Sequence, residues 1–323
     1  MSNEIHILKA PGSAEAFRPA VVQEVRWETR IAGAPGLLEF TIYDDGNINF
    51  PEGANVQFFS DGTPIFNGFL FERERTKDHL VRCLAYDQLR YLKQEEPYVY
   101  VNKTATEVIK MIAEDYRLQI GDLADTKYKI PARNEMGVSM WECILQALGI
   151  THAITTERFV LYDDFGKLVL KNIKDMQLKM LIGKDNLEDF RLLTSINNET
   201  ANAVKIIINN PQTAKRENYI INDEGNIGKW GLLKFYKEIQ YGMNGTNYAQ
   251  MQLSLRNIVS RDFSLKGIRG EPTIRAGNAM TINLEQETGM KPVQLVADRV
   301  LHRFSGDDHS MDIDFINPEM WHA

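Results

Sequence analysis

Apolar and polar residues alternate in short runs through the first part of the chain. Glu39-Phe40-Thr41-Ile42 and Val56-Gln57-Phe58 read with the period of two expected of a strand with one buried face, and residues 64–75 and 80–85 read as further extended runs. Turn formers separate these runs: Gly33-Ala34-Pro35-Gly36, Asp44-Asp45-Gly46-Asn47, Ser60-Asp61-Gly62-Thr63 and Lys77-Asp78. Short strands rich in Phe, Val and Ile predict a small antiparallel barrel or sandwich. One or two helical turns are predicted over 86–92.

The same pattern returns near the other end. Asp262-Phe263-Ser264-Leu265, Gly277, Met280-Thr281-Ile282, a long extended run over 292–304, Asp308-His309 and a final run over 311–316 follow one another. The first copy has Glu39-Phe40, Gly53, Val56-Gln57-Phe58, the long run, Asp78-His79 and its closing run in the same order. Four strands and two turns repeated with matching polarity predict two related barrels, with Phe40 and Phe263 at equivalent core positions and Gly53 matching Gly277.

Between the copies the period changes to that of helices. Thr104 and Glu107 form a capping box, followed by Val108, Ile109, Ile112 and Tyr116 at helical spacing. Ser139 and Glu142 form a second box, with Trp141, Ile144, Leu145 and Leu148 on one face and Gly149 placed to end the helix. A hairpin over 158–170 turns at Asp163-Asp164-Phe165-Gly166. Farther on come a strand over 203–209, a polar stretch, an aromatic and glycine-rich run over 230–248, and a helix from about residue 247 to 260. The expected fold is therefore a β-rich α+β, multidomain one: a first tube-like β-barrel domain over 1–97, a small α+β insertion over 98–190, and a second barrel domain with one helix over 191–323.

Composition narrows the function. A chain of 323 residues with 25% charged and 43% hydrophobic residues has the makeup of ordinary globular domains. Its net charge of −7 argues against general affinity for nucleic acid or anionic lipid. No secretory leader is expected from residues 1–10, and no apolar run is long enough to span a bilayer. The two cysteines, Cys83 and Cys143, fall on a predicted strand and a predicted helix, where they read as small buried hydrophobes.

Candidate chemistry is sparse. Asp163 and Asp164 offer the two carboxylates of a glycosidase, but adjacent carboxylates on a hairpin tip point apart, and aspartate is a common turn residue. Asp44-Asp45-Gly46-Asn47 lacks the further oxygen ligands of a calcium loop. His302, His309, Asp312 and Asp314 crowd together, yet their spacing describes a half-buried hairpin with its polar face outward, not a zinc site. Phosphate-loop, dinucleotide, nucleophile-elbow and zinc-protease motifs are missing. No catalytic, cofactor or metal residue is expected. The aromatic run remains: Trp230, Phe235, Tyr236 and Tyr241, among glycines at 228, 231, 242 and 245, read either as a partner interface or as cover for the barrel's own core.

The stretch from Gly53 to Leu92, with Asp61-Gly62-Thr63, Ile65-Phe66-Asn67-Gly68 and Ala85-Tyr86-Asp87-Gln88-Leu89, resembles the opening barrel of phage baseplate hub proteins of the XkdQ/YqbQ type. The capped helix from Thr104, the Ser139-Met140-Trp141 helix and the Lys167-Leu168-Val169-Leu170 strand continue the likeness. Val300-Leu301-His302-Arg303-Phe304 with Met311-Asp312-Ile313 is similar to the group's final hairpin. The resemblance spans essentially the whole chain and carries no catalytic residues or cofactors. It implies a structural protein of a contractile phage tail or a phage-tail-like bacteriocin. In that setting a homotrimer presents six barrels to a hexameric tail tube protein and a threefold face to the central spike protein, beside other baseplate proteins. Neither specific nucleic-acid binding nor membrane insertion is implied, and the location is the bacterial cytoplasm during assembly, then the particle. The alternative is a tail-associated peptidoglycan hydrolase or cell-wall-binding protein, which requires an acid/base pair or a repeated sugar-stacking module.

Overall fold

A computed structural model describes residues 2–8, 16–31, 33–46, 50–197, 199–211, 214–239, 241, 244–289 and 291–316. Asn47 of the second predicted turn and Gly242 of the aromatic run lie outside the described residues.

The first part forms β1 (Asn3–Leu8), β2 (Val25–Arg30), β3 (Leu37–Tyr43), β4 (Asn55–Ser60), β5 (Thr63–Arg75) and β6 (Leu80–Tyr86). Alternation decides which face is buried: Leu38, Phe40 and Ile42 of β3, Val56 and Phe58 of β4, and Val81, Cys83 and Ala85 of β6 share one core with Ile5, Ile7 and Trp27. Between β4 and β5, Asp61 and Gly62 have φ of 48° and 74°, the left-handed pair that lets a two-residue turn follow the strand twist. A 3-10 helix over Gln88–Lys93 occupies the predicted helical turns, and the Leu89 N–H donates to the Asp87 carboxylate at 3.0 Å.

The insertion builds a second core. Helix α1 (Ala105–Asp115) starts at the Thr104–Glu107 box and α2 (Met140–Thr155) at the Ser139–Glu142 box, both with reciprocal hydrogen bonds formed. Val108, Ile109 and Ile112 meet Met140, Ile144 and Ala147, while β7 (Phe159–Asp164) and β8 (Lys167–Asn172) contribute Leu161, Leu168 and Leu170. Gly149 does not end α2. The buried Thr151 bonds back to the Ala147 carbonyl at 2.9 Å, and the helix closes on Thr156 at φ 61°. Phe165 and Gly166, with φ of 47° and 88°, make the β7–β8 turn. Cys83 lies in the first core and Cys143 in the second, both as free thiols that burial pushes up, to about 12 and about 11.

Two compact units are present, Met1–Asp189 with Leu265–Asp314, and Phe190–Ser264 with Phe315–Ala323. In the second, β9 (Ala203–Asn210) lies between antiparallel β10 (Lys215–Asn222) and parallel β11 (Lys234–Ile239). Helix α3 (Glu224–Trp230) joins β10 to β11, and α4 (Gly245–Arg256) packs Ala249 and Leu253 on Val204, Ile206 and Ile208. Regular elements occupy much of the described part of the run over 230–248. Asp223 caps α3 by accepting from Asn226 N–H at 2.9 Å, Gly231 (φ 77°) ends it, and a strand follows.

The repeat reappears in β12 (Ser260–Arg269), β13 (Ala279–Asn283), β14 (Val293–Ser305) and β15 (Asp308–Phe315). Their order, β13-β14-β15-β12, is that of β4-β5-β6-β3. The long strands β5 and β14 have 13 residues each, Phe40 and Phe263 are both 2% exposed, and Gly53 and Gly277 both have left-handed φ, 82° and 93°. No closed barrel forms among the described residues. Strand β2 pairs with β3 on one side and β14 on the other, Trp27 opposite His302, so the two four-strand groups share one open sheet. That pairing also explains why 265–314 is compact with the beginning of the chain, whereas pattern changes in the sequence place divisions at 97/98 and 190/191.

Candidate functional site

The four aromatic residues singled out in the sequence do not share one environment. On β11, side chains alternate across the strand. Phe235 joins the small core beneath α4, with the Arg256 guanidinium 4.1 Å above its ring, whereas Tyr236 is 56% exposed. Tyr236 stands opposite Lys205 of β9, and Lys205 opposite Ile220 of β10, which is 59% exposed. Leu232 and Tyr241 are exposed as well, and Trp230 is half-buried at the end of α3. Phe235 thus covers the small core of the three-stranded sheet rather than that of a barrel, and Tyr236 and Tyr241 are exposed. Ile220 escaped the sequence reading because it adjoins Ile221, and a pair of adjacent isoleucines does not tell which of the two faces outward.

The carboxylates at the β7–β8 turn also part company. Asp164 is exposed and lies 3.8 Å from Arg275. Asp163 is buried; it accepts from Gly166 N–H at 2.7 Å, which is the turn role, and from the Gln88 amide at 2.8 Å. A second buried acid, Asp87, accepts from Gly36 N–H at 2.8 Å and caps the 3-10 helix. Burial pushes the Asp163 carboxyl up to about 6; burial first, and the charge of Asp163 next, hold Asp87 well above the usual range. Arg275 donates to the Asp163 carbonyl at 2.7 Å and stacks on Tyr162 at 3.9 Å. Both acids are spent on backbone and side-chain hydrogen bonds that tie together three chain segments, at Gly36, at 87–89 and at 163–166. Asp87 was invisible as a partner because the contact spans residues far apart in sequence.

His302 and His309 are buried rather than on a polar face, and His302 stacks on Trp27. Asp312 and Asp314 do face outward, but each is paired with arginine from β14: Arg303–Asp312 at 2.7 Å and Arg299–Asp314 at 3.2 Å. Among the described residues no group of three or more His, Cys, Asp or Glu is placed to hold a metal ion. No helix among them is long and apolar enough to cross a membrane.

A β-rich chain with a repeated four-strand group, interrupted by an α+β insertion, has the fold of phage tail and baseplate proteins. The 43 kDa tail protein of prophage MuSo2 from Shewanella oneidensis superposes with a TM-score of 0.72 at 12% identity, over 98% of this chain and 99% of that one. The E. coli c3393 protein, a type VI secretion component described as similar to T4 tail proteins gp27 and gp5, superposes with a TM-score of 0.55 at 10% identity, over 97% and 76%. The YQBQ-like family model matches residues 25–316, and the chain belongs to that family. The phage-like element PBSX protein XkdQ of Bacillus subtilis is 28% identical over 310 residues, 92% of each chain.

Proposed function

We propose that this chain is the structural hub of a contractile-tail baseplate, a homotrimer that adapts a hexameric tail tube to a trimeric spike. The observation that carries this reading is the repeated strand order, β4-β5-β6-β3 and β13-β14-β15-β12, within a single chain. Two similar four-strand groups per chain give six in a trimer, so one ring meets a sixfold partner on one side and a threefold partner on the other. In this reading 1–97 and 191–323 supply the two tube-like modules, 98–190 braces them, and the chain does no catalysis. The family relation to a phage-like element protein and the fold shared with tail proteins support it.

The exposed residues Tyr236 and Tyr241 on the second unit, together with the half-buried Trp230, are the proposed contact for a neighbouring baseplate protein; Phe235 supports that unit from its core. Aromatic residues give large contact area for few rotatable bonds. The test is a solution mass together with negative-stain images of the chain mixed with its tube and spike proteins. Threefold rings bridging the two are expected. A monomer that binds neither, or a clearing band on a cell-wall zymogram, overturns the reading.

A further inference from the structure

A crevice of about 440 Å³ lies within the first unit, between the outer face of β4–β5 and the segment that follows α1. Its size falls in the range of small-ligand sites, which are mainly apolar with a few placed polar groups. Phe69, Tyr91 and Tyr116 supply rings and side-chain amides come from both strands; among the described residues that line it Arg117 is the one cation and none is a carboxylate.

The amides divide into two kinds. Those at the back are locked: Asn55 donates to the Asn67 side chain at 2.8 Å and to the Gly68 carbonyl at 2.9 Å. Gln88 accepts from Gln119 N–H at 2.9 Å and donates to Asp163 at 2.8 Å. Gly166 lets the turn pack directly on this wall, since a Cβ there would strike the Asn67 amide. In contrast, the side chains of Gln57 and Arg117 have no protein hydrogen-bond partner among the described residues, nor do the hydroxyls of Tyr91 and Tyr116. A rigid back wall with unspent donors and acceptors in front is preorganised for a ligand that brings its own polar groups.

We propose that this crevice binds an N-acetylated sugar. The C–H face of a pyranose and the acetyl methyl suit the rings, and the acetamido N–H and carbonyl match the free amide of Gln57. Ring hydroxyls meet the tyrosine hydroxyls and Arg117, while the absence of carboxylates gives nothing for a cationic ligand. This site is separate from the hub role: a trimer that assembles normally but ignores sugar refutes it and leaves that role intact.

The test is titration calorimetry of the full chain with di-N-acetylchitobiose, with cellobiose as the sugar lacking acetamido groups. Saturable binding of di-N-acetylchitobiose and weaker binding of cellobiose are expected. Gln57→Leu and Arg117→Gly should each weaken binding about tenfold. Gln57 is half-buried outside the core, and glycine suits the φ of 53° at position 117, so both variants should keep the wild-type thermal midpoint. No saturable binding by the wild type, equal binding of cellobiose, or affinity unchanged in both variants overturns the assignment. So does uptake of a peptide that di-N-acetylchitobiose fails to displace.

Discussion

His302 Nδ1 and His309 Nε2 lie 2.9 Å apart in the core between β14 and β15, and the far nitrogen of His302 is 2.8 Å from the Ile274 carbonyl. Those two contacts fix both tautomers. Only an N–H can face the carbonyl, so His302 carries its proton on Nε2 and accepts on Nδ1; His309 must then donate from Nε2, which leaves its buried Nδ1 as an unpartnered acceptor. Protonating both rings would set two N–H groups against each other, so the pair cannot carry both charges.

Acid should therefore loosen this end of the sheet. Burial lowers His302 to about 3 and His309 to about 4, from an ordinary 6.5. With folded values below unfolded ones, the unfolded chain takes up protons first. The contribution is whole above about pH 6.5 and is lost as pH falls toward 4 and then 3, a cost on the order of a few kcal/mol. Urea midpoints measured between pH 7 and 4 should fall, and H302F/H309F should flatten that slope. A wild-type midpoint independent of pH in this window would contradict the neutral pair.

Asp163 acts with the opposite sign. Its carboxyl is raised from 3.8 to about 6, so the folded state holds the proton more tightly than the unfolded chain. The advantage of the protonated form is present below about pH 3.8 and is lost as pH rises through 6, on the order of 2 kcal/mol. Asp163→Asn should gain on the wild type between pH 4 and pH 7, while Asp164→Asn, exposed beside Arg275, should change stability by less than about 0.5 kcal/mol. Equal pH profiles for wild type and Asp163→Asn would dismiss the buried-acid account.

The adjacent residues Phe235 and Tyr236 separate core from interface. Phe235→Ala removes a ring from beneath α4 and from the Arg256 stack, and should cost about 2–4 kcal/mol. Tyr236→Ala and Tyr241→Ala should leave the thermal midpoint near that of the wild type and impair co-assembly with baseplate partners. A large fall in midpoint for Tyr236→Ala would assign it to the core.

Local signals carried most of the architecture. Period-two runs, the two capping boxes and the Asp-Gly turn depend on residues within a few positions of one another, so strands, helix starts and hairpins were legible. The matched Phe40/Phe263 and Gly53/Gly277 also disclosed the repeated strand order, because equivalent positions in two copies face the same constraint. What the letters hid was set by distant pairing. Strand β2 serves both four-strand groups, which joins them in one sheet instead of closing either. Likewise Gly149 reads as a helix stop until Thr151 is seen to be buried beyond it. Asp163 reads as a turn residue, which it is, but its second partner Gln88 comes from another element.

The repeat makes a paired prediction. Phe40→Ala and Phe263→Ala should each cost about 3–5 kcal/mol, since both rings are buried at equivalent positions. Gly53→Ala and Gly277→Ala should both destabilise through their left-handed φ, and Gly277→Ala more, because its new Cβ would also crowd the Met176 methyl at 3.0 Å. Chemical denaturation of the four variants checks the pairing. A neutral outcome at one phenylalanine and not the other would break the equivalence.

The outward face of β2, β14 and β15 carries the last prediction. Arginine and carboxylate alternate across it: Arg26 with Glu24, Arg30 with Glu28, Arg299 with both Glu28 and Asp314, and Arg303 with Asp312. Each guanidinium is compensated by an adjacent acid, so the face presents little net charge. Glu72 and Glu74, the acids of the other long strand, are exposed, and Glu74 lies 3.5 Å from Arg82. A face of this kind should not hold a passing polyanion, which binds through uncompensated lysine and arginine. The wild type is therefore expected to flow through a heparin or DNA column at about 0.1 M salt. D312N/D314N removes the acids from Arg299 and Arg303, and should produce retention that disappears as salt is raised. Retention of the wild type, or none by the variant, would show that these pairs do not set the character of the face.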